Sequence, residues 1–360
     1  MRKFEGWIVV KKSYFCAVFF LCMKMRFFPL FLACVVVVFM TACSKDFNSN
    51  APYRDATVVY GILNADDNVQ YVKIYKGFLT NDNAYEAAQI YDSLYYFDKI
   101  TVELEEYRNG HKISTHVLDT TTAIPRDLNG DMSAPKQMLY VIDQPINVDN
   151  TYKLVITNKE TGRVVTAETT VVGETMITSP FQQSVDITHK TTNYIKYKAA
   201  MNASAYTITQ TFNYVEIDKA TGDTTYKSLR RNITPSPTTQ TSYQYVPYGM
   251  YEFICSSLTV DNTVDRYLLL DSCICFEVWA VNEPYYNYVQ TSTITSSVVM
   301  DHLVYTNVEC ADDDLVCGFF GSRRSAYSIH RLNTTSEELI VKGNDSRKFN
   351  FHYSYELLGH

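Results

Sequence analysis

The sequence predicts a mainly β protein: an N-terminal immunoglobulin-like β-sandwich over residues 53–175, then a second β-rich domain over 176–360 with one or two short helices. Three observations predict it. Short runs with period-2 alternation recur, as at 70–76, where Tyr71, Lys73 and Tyr75 alternate with Val72 and Ile74. Turn pairs such as Asn109-Gly110, Thr161-Gly162 and Thr221-Gly222 separate them, because these residues tolerate positive φ or bond their own backbone. Tyr, a good strand residue, occurs 29 times against 2 Trp.

In order, 56–63 and 70–76 read as strands, and 84–91 as a short helix within a long connection. The run 100–107 puts Val102 and Leu104 on one face and Glu103 and Glu105 on the other, and Asn109-Gly110 turns it into 113–118. Strands at 138–142, 152–157 and 163–172 follow. About seven strands in roughly 120 residues is the spacing of a sandwich. A boundary is expected at 173–180. Beyond it, 193–201, 206–218 and 224–231 read as strands and 232–248 as an exposed loop. Residues 251–258 fit strand or helix, 275–281 is an apolar strand, and Glu283-Pro284 opens a helix, since Pro is tolerated in the first turn and an acid favours its N-terminus. No period of 20 to 50 residues repeats, which excludes a solenoid or propeller.

The chain has 360 residues, with 13 Gly and 10 Pro, too few for a collagen-like or Gly/Ser-linker protein. Its formal charge of −7 argues against a nucleic-acid partner, which needs a basic face. Lys24 and Arg26 precede an uncharged run at 27–42, shorter than the roughly 20 residues of a membrane span and suited to a signal-peptide core. That run ends in Met40-Thr41-Ala42-Cys43, which resembles the bacterial lipobox, with Met40 where Leu is usual. The resemblance implies a signal peptide over 1–42, lipidation of Cys43, and a polar tether over 43–52. Ser44-Lys45-Asp46 is similar to the export tag of Bacteroidetes surface lipoproteins. A second apolar stretch at 13–23 marks 1–22 as a gene-model extension, with the start at Met23 or Met25. Residues 1–42 carry six basic groups and one acid, so the rest carries a net −12 and should stand off anionic head groups.

Further stretches resemble a Bacteroidetes lipoprotein family of unknown function (domain of unknown function 4249). They are Val58-Val-Tyr-Gly-Ile-Leu-Asn64 with Tyr71-Val-Lys-Ile74, the run 203–216, and Tyr305-Thr-Asn-Val-Glu309 followed by Gly318-Phe-Phe-Gly-Ser-Arg323. Where that family has a short Gly-containing turn, this chain has Cys310 to Cys317 with Asp312, Asp313 and Asp314 between them. The resemblance implies location and architecture and brings no established activity.

Candidate chemistry is sparse. Past Cys43 five cysteines remain: Cys255, Cys273, Cys275, Cys310 and Cys317. Disulfides persist outside the cytoplasm, so Cys310 and Cys317 can staple the loop they flank, and Cys255 can reach Cys273 or Cys275. No zinc-type spacing occurs, and the acids at 127–131 and 312–314 read as solvated turns, so no metal or cofactor is expected. No nucleophile elbow, Walker loop or His-Glu-x-x-His is present. Glu277, inside Cys275-Phe-Glu-Val-Trp279, is the acid a buried catalytic carboxyl would occupy, against its reading as the polar side of a half-buried strand. Tyr95-Tyr96-Phe97 and the group Tyr243, Tyr245, Tyr248 and Tyr251 offer stacking surfaces for sugars or a protein, against plain strand use of Tyr.

The expected function is that of a surface-exposed outer-membrane lipoprotein. It would touch the membrane through its lipid and act without catalysis as a binding or docking component. Its partner would be an outer-membrane transporter of the TonB-dependent kind or a glycan. The alternatives are an adhesin or fimbria-like subunit, and a lipid-anchored glycan hydrolase centred on Glu277.

Overall fold

The computed structural model describes residues 55–78, 86, 88–128, 132–294, 305–311 and 315–359. Cys43, the tether, the acids at 312–314 and residues 84, 85 and 87 of the helix expected at 84–91 lie outside them. The first half supplies β1 (Asp55–Leu63), β2 (Val69–Phe78), α1 (Tyr91–Leu94), β3 (Ile100–Arg108), β4 (His111–Val117), β5 (Asp119–Thr121), β6 (Leu139–Asp143), β7 (Thr151–Asn158) and β8 (Val164–Thr170). The second half supplies β9 (Ile177–Ser179), β10 (Ser184–Val185), β11 (Asn193–Tyr197), β12 (Ala205–Asp218), β13 (Thr224–Asn232), β14 (Ser242–Tyr245), α2 (Tyr248–Ser257), β15 (Val264–Leu268) and β16 (Ile274–Val281). It continues with α3 (Glu283–Ile294), β17 (Val308–Cys310), β18 (Val316–Leu332), α4 (Thr334–Lys342) and β19 (Phe351–His352). The protein is mainly β, as its alternation predicts. Residues 251–258 resolve to helix, and the expected loop at 232–248 contains β14.

The sheets cross the expected domain boundary. An eleven-stranded sheet runs β19-β15-β12-β16-β18-β1-β2-β6-β5, with β10 on β18 and β13 on β12. A five-stranded sheet runs β17-β8-β7-β3-β4, and a three-stranded sheet runs β14-β11-β9. The joint is β18: residues 316–322 pair in parallel with β1, and 323–330 pair antiparallel with β16. β17, from the same late segment, closes the five-stranded sheet against β8. The boundary expected at 175/176 therefore falls inside one compact unit, Pro52–His360. A sandwich does form in the first half, but two of its strands come from residues 308–332, so the sheets establish something broader than an immunoglobulin-like domain closed within 53–175.

Its core lies between the two larger sheets. Val59, Val72 and Ile74 from β1 and β2 meet Val102 and Leu104 of β3 and Leu154 and Ile156 of β7, all nearly or fully buried. Each such side chain contributes about 1.5–3 kcal/mol relative to exposure. The Asn109-Gly110 hairpin forms as predicted, with φ of 51° and 79°. A second core packs α2 and α4 on the sheet through Met250, Tyr251, Ile254 and Ile340. Asn333 starts α4 as its N-cap, accepting from the Ser336 amide at 3.0 Å. On the outer face, α3 stacks Tyr288 on Phe319 of β18 at 4.3 Å.

Candidate functional site

The sandwich opens along one side into a cleft of about 360 Å³, between β3 and the chain that leads from β4 through β5 and on to β6. It exists because Val117-Leu118-Asp119 carries the chain from one sheet to the other: β4 pairs with β3, whereas β5 pairs with β6. The Leu118 amide donates to the Val102 carbonyl at 2.9 Å and holds this corner. Val102, Leu118, Met138 and Tyr140 form an apolar floor. The rim carries two exposed apolar side chains, Phe97 (37% exposed) and Val117 (62%).

Phe97 has φ of 50°, a left-handed conformation that a bulky residue adopts at a cost of order 1–3 kcal/mol. It ends the Tyr95-Tyr96-Phe97 run foreseen as a stacking surface. Tyr95 and Tyr96 are buried, and Phe97 alone of the three projects at the mouth. Edge-to-face contacts to Tyr91 (5.8 Å) and Tyr95 (6.4 Å) hold it there. Asp98, Asp119 and Lys159 line the polar part, and Lys159 Nζ donates to the Asp98 carbonyl at 2.8 Å.

Tyr140 is 2% exposed, and its hydroxyl is buried without a hydrogen-bond partner. Burial, with the nearby Tyr96, pushes that phenol well above its ordinary range, so it stays protonated as a donor. A buried hydroxyl without a partner costs free energy until something supplies one. An apolar floor, aromatic rim and single inward hydroxyl suit a flat or ring-shaped ligand with one polar group. The sequence marked Phe97 but not Tyr140, whose role depends on where β6 stops pairing with β2.

The other expected sites fall elsewhere. Cys310 and Cys317 are free thiols, as are Cys255, Cys273 and Cys275, so no disulfide links any of these five. Cys310 lies in the five-stranded sheet opposite Val165 and Cys317 in the eleven-stranded sheet opposite Val58. Arg163 Nε donates to Cys310 Sγ at 3.3 Å, and burial raises the Cys317 thiol. Glu277 sits on the outer face in an ion pair with Arg230 Nη2 at 2.5 Å, a partly solvated arrangement rather than a buried acid facing a cleft. Tyr245 and Tyr251 are core residues, Tyr245 lying edge-to-face with Phe276 at 5.6 Å. Among the described residues no group of His, Cys, Asp and Glu is placed to hold a metal.

One pairing lies outside the expected sites. Ser328 Oγ lies 2.7 Å from His330 Nε2, and His330 Nδ1 lies 2.6 Å from the Gln182 carbonyl. Nδ1 must donate to that carbonyl, so Nε2 accepts from the serine, and burial lowers the imidazole pKa and keeps it neutral. This is the spacing of a nucleophile and base, but His330 is 2% exposed and lies edge-to-face with Phe276 in the second core. Comparison with protein-family models, with curated proteins and with solved structures finds no match.

Proposed function

We propose that the chain is a surface-exposed outer-membrane lipoprotein, tethered through Cys43, that binds a small ligand in the sandwich cleft without transforming it. The observation that carries the binding role is the unpartnered Tyr140 hydroxyl beneath the strained, exposed Phe97. Strain and an unsatisfied buried hydroxyl at one mouth are costs that a binding site offsets when occupied. The lipobox-like Met40-Thr41-Ala42-Cys43 and the Ser44-Lys45-Asp46 tag carry the location. The resemblance to the Bacteroidetes lipoprotein family of unknown function points the same way. Such a protein would pass its ligand, a glycan fragment for example, to an outer-membrane transporter of the TonB-dependent kind.

The hydrolase alternative gains nothing from Glu277, which its arginine holds on the outer face. The test is metabolic labelling with an alkyne fatty acid, combined with protease shaving of intact cells. Cys43→Ala should lose the label and membrane retention, and shaving should remove the wild-type chain. A label that survives Cys43→Ala, or a chain protected until the outer membrane is opened, would overturn the tethered surface reading.

A further inference from the structure

β6 pairs with β2 only as far as Tyr140 opposite Val72. Among the described residues no strand pairs with that side of β2 from Lys73 to Phe78; α1 contacts β2, and Arg126 of the β5–β6 connection lies beside Lys73. The segment before α1 and the β5–β6 connection are tied together, the Ser133 amide donating to the Ala88 carbonyl at 2.9 Å. Four cations on β2 and in these segments each contact a tyrosine. Lys73 Nζ lies 5.5 Å from the Tyr75 ring centre, Lys76 Nζ 5.3 Å from Tyr96, and Lys136 Nζ 4.4 Å from Tyr91. The fourth, Arg126, donates from Nη2 to the Tyr95 hydroxyl at 2.9 Å.

Several cations elsewhere in this acidic chain have carboxylate partners. Arg266 is bound to Glu216, Arg230 to Glu277 and Arg324 to Asp66. None of the four cations around β2 forms an ion pair among the described residues. Arg126 goes further: its Nε and Nη1 are shielded from water and have no acceptor among the described residues. Guanidinium donors are seldom left so, because desolvation is uncompensated. Lys73 is half-buried beside it, and burial first, then the like charge of Arg126, lowers its pKa. Two neighbouring cations and unsatisfied donors are what an oxyanion would complete at once.

We propose that Arg126 and Lys73 form a subsite for an oxyanion, the carboxylate, phosphate or sulfate group of a small ligand, flanked by the rings of Tyr75, Tyr91 and Tyr95. The subsite residues lie outside the cleft lining, but Tyr91 and Tyr95 contact Phe97 at its rim. It gives the ligand class a sign: an acidic molecule whose ring lies in the cleft while its charge reaches Arg126. The inference extends the cleft reading but does not depend on the tether or on surface exposure.

The test is thermal melting and calorimetric titration of the full chain in detergent micelles. The probes are the potassium salts of phosphate, sulfate and glucuronate at fixed ionic strength, with chloride as control. At least one oxyanion should raise the Tm saturably at millimolar concentration, and chloride should not. Glucuronate alone would assign a sugar acid, phosphate alone a phosphate or its ester, and sulfate alone a sulfated ligand. Arg126→Gln and Lys73→Gln should each weaken that binding at least tenfold, with Arg126→Lys retaining part of it. Arg126→Gln removes an unsatisfied charge and should melt no lower than wild type without ligand, and its far-UV circular dichroism should be unchanged. No saturable binding of any of the three, or equal affinity in folded Arg126→Gln, overturns the proposal. Because this readout uses no cells, its failure would leave the surface-lipoprotein reading to its own test.

Discussion

Asn282 and Ser322 are bonded to each other twice. The Asn282 amide donates to the Ser322 carbonyl at 3.1 Å, and the Ser322 amide donates to Asn282 Oδ1 at 3.0 Å. Asn282 Nδ2 also reaches Thr169 Oγ1 at 2.7 Å and the Thr170 carbonyl at 2.9 Å, while Ser322 Oγ accepts from the Val172 amide at 2.9 Å. Both residues are almost wholly buried. The ends of β8 and β16 are thereby fastened to the middle of β18, where one half of the chain passes into the other.

Asn282→Ala should therefore lower stability by about 2–4 kcal/mol, because it strands the Ser322 amide and the Thr170 carbonyl in a dry junction. Urea unfolding measures it, with an unchanged m-value as the sign that the native fold persists. A loss under about 0.5 kcal/mol would mean that the junction is held by packing alone.

Gly318 is the most tightly enclosed of the described glycines. Its φ is +99°, and a Cβ there would lie 1.9 Å from the Val59 carbonyl oxygen, within the β1–β18 pairing. Gly318→Ala should cost more than about 3 kcal/mol or prevent folding. Gly222→Ala has a similar φ of +76° but open space around it, and should cost only about 1–2 kcal/mol. Comparable expression and melting of the two variants would contradict this assignment.

Glu106 sets an acid limit on stability. Burial alone would raise its carboxyl, but hydrogen bonds from Tyr152, Asn150 and Ser114 outweigh it and leave the pKa below the ordinary 4.5. A carboxyl depressed in the folded chain stabilises it above the unfolded pKa and loses that contribution as pH falls through the folded value. Glu106→Gln should thus be less stable than wild type at pH 7, with the gap closing steadily below about pH 4.5. A gap independent of pH would assign the loss to packing rather than to ionisation.

Tyr140→Phe should leave the unliganded protein as stable or raise it by up to about 1 kcal/mol, since it removes a buried hydroxyl without a partner. The same change should weaken any ligand that bonds that hydroxyl. A loss above about 1 kcal/mol in the empty protein would show that the hydroxyl is satisfied in solution and would remove the main support for the cleft.

Most strands were legible because alternation and turn chemistry are local. The strand at 100–107, with Val102 and Leu104 inward, and the positive-φ turn at Asn109-Gly110 stand where their residues put them. The helix at Glu283-Pro284 likewise follows from first-turn chemistry. The candidate site was legible only in fragments. The Tyr95-Tyr96-Phe97 run is visible as a cluster, yet nothing local says that two rings are buried and the third guards an opening. Arg126 and Lys73 are 53 positions apart in an unpatterned loop and an ordinary strand.

Residue order alone was enough for the mainly β class and the acidic balance, since alternation and turn chemistry depend on neighbours within a few positions and charge only on composition. Which strands pair could not be read that way. A strand offers the same backbone donors and acceptors to any partner, so β18 could lie beside β1, some 260 residues earlier, without leaving a mark in either segment. That one pairing merges the two expected domains. Only the assembled sheets, in turn, open the cleft and leave the Tyr140 hydroxyl and Nε and Nη1 of Arg126 without hydrogen-bond partners among the described residues.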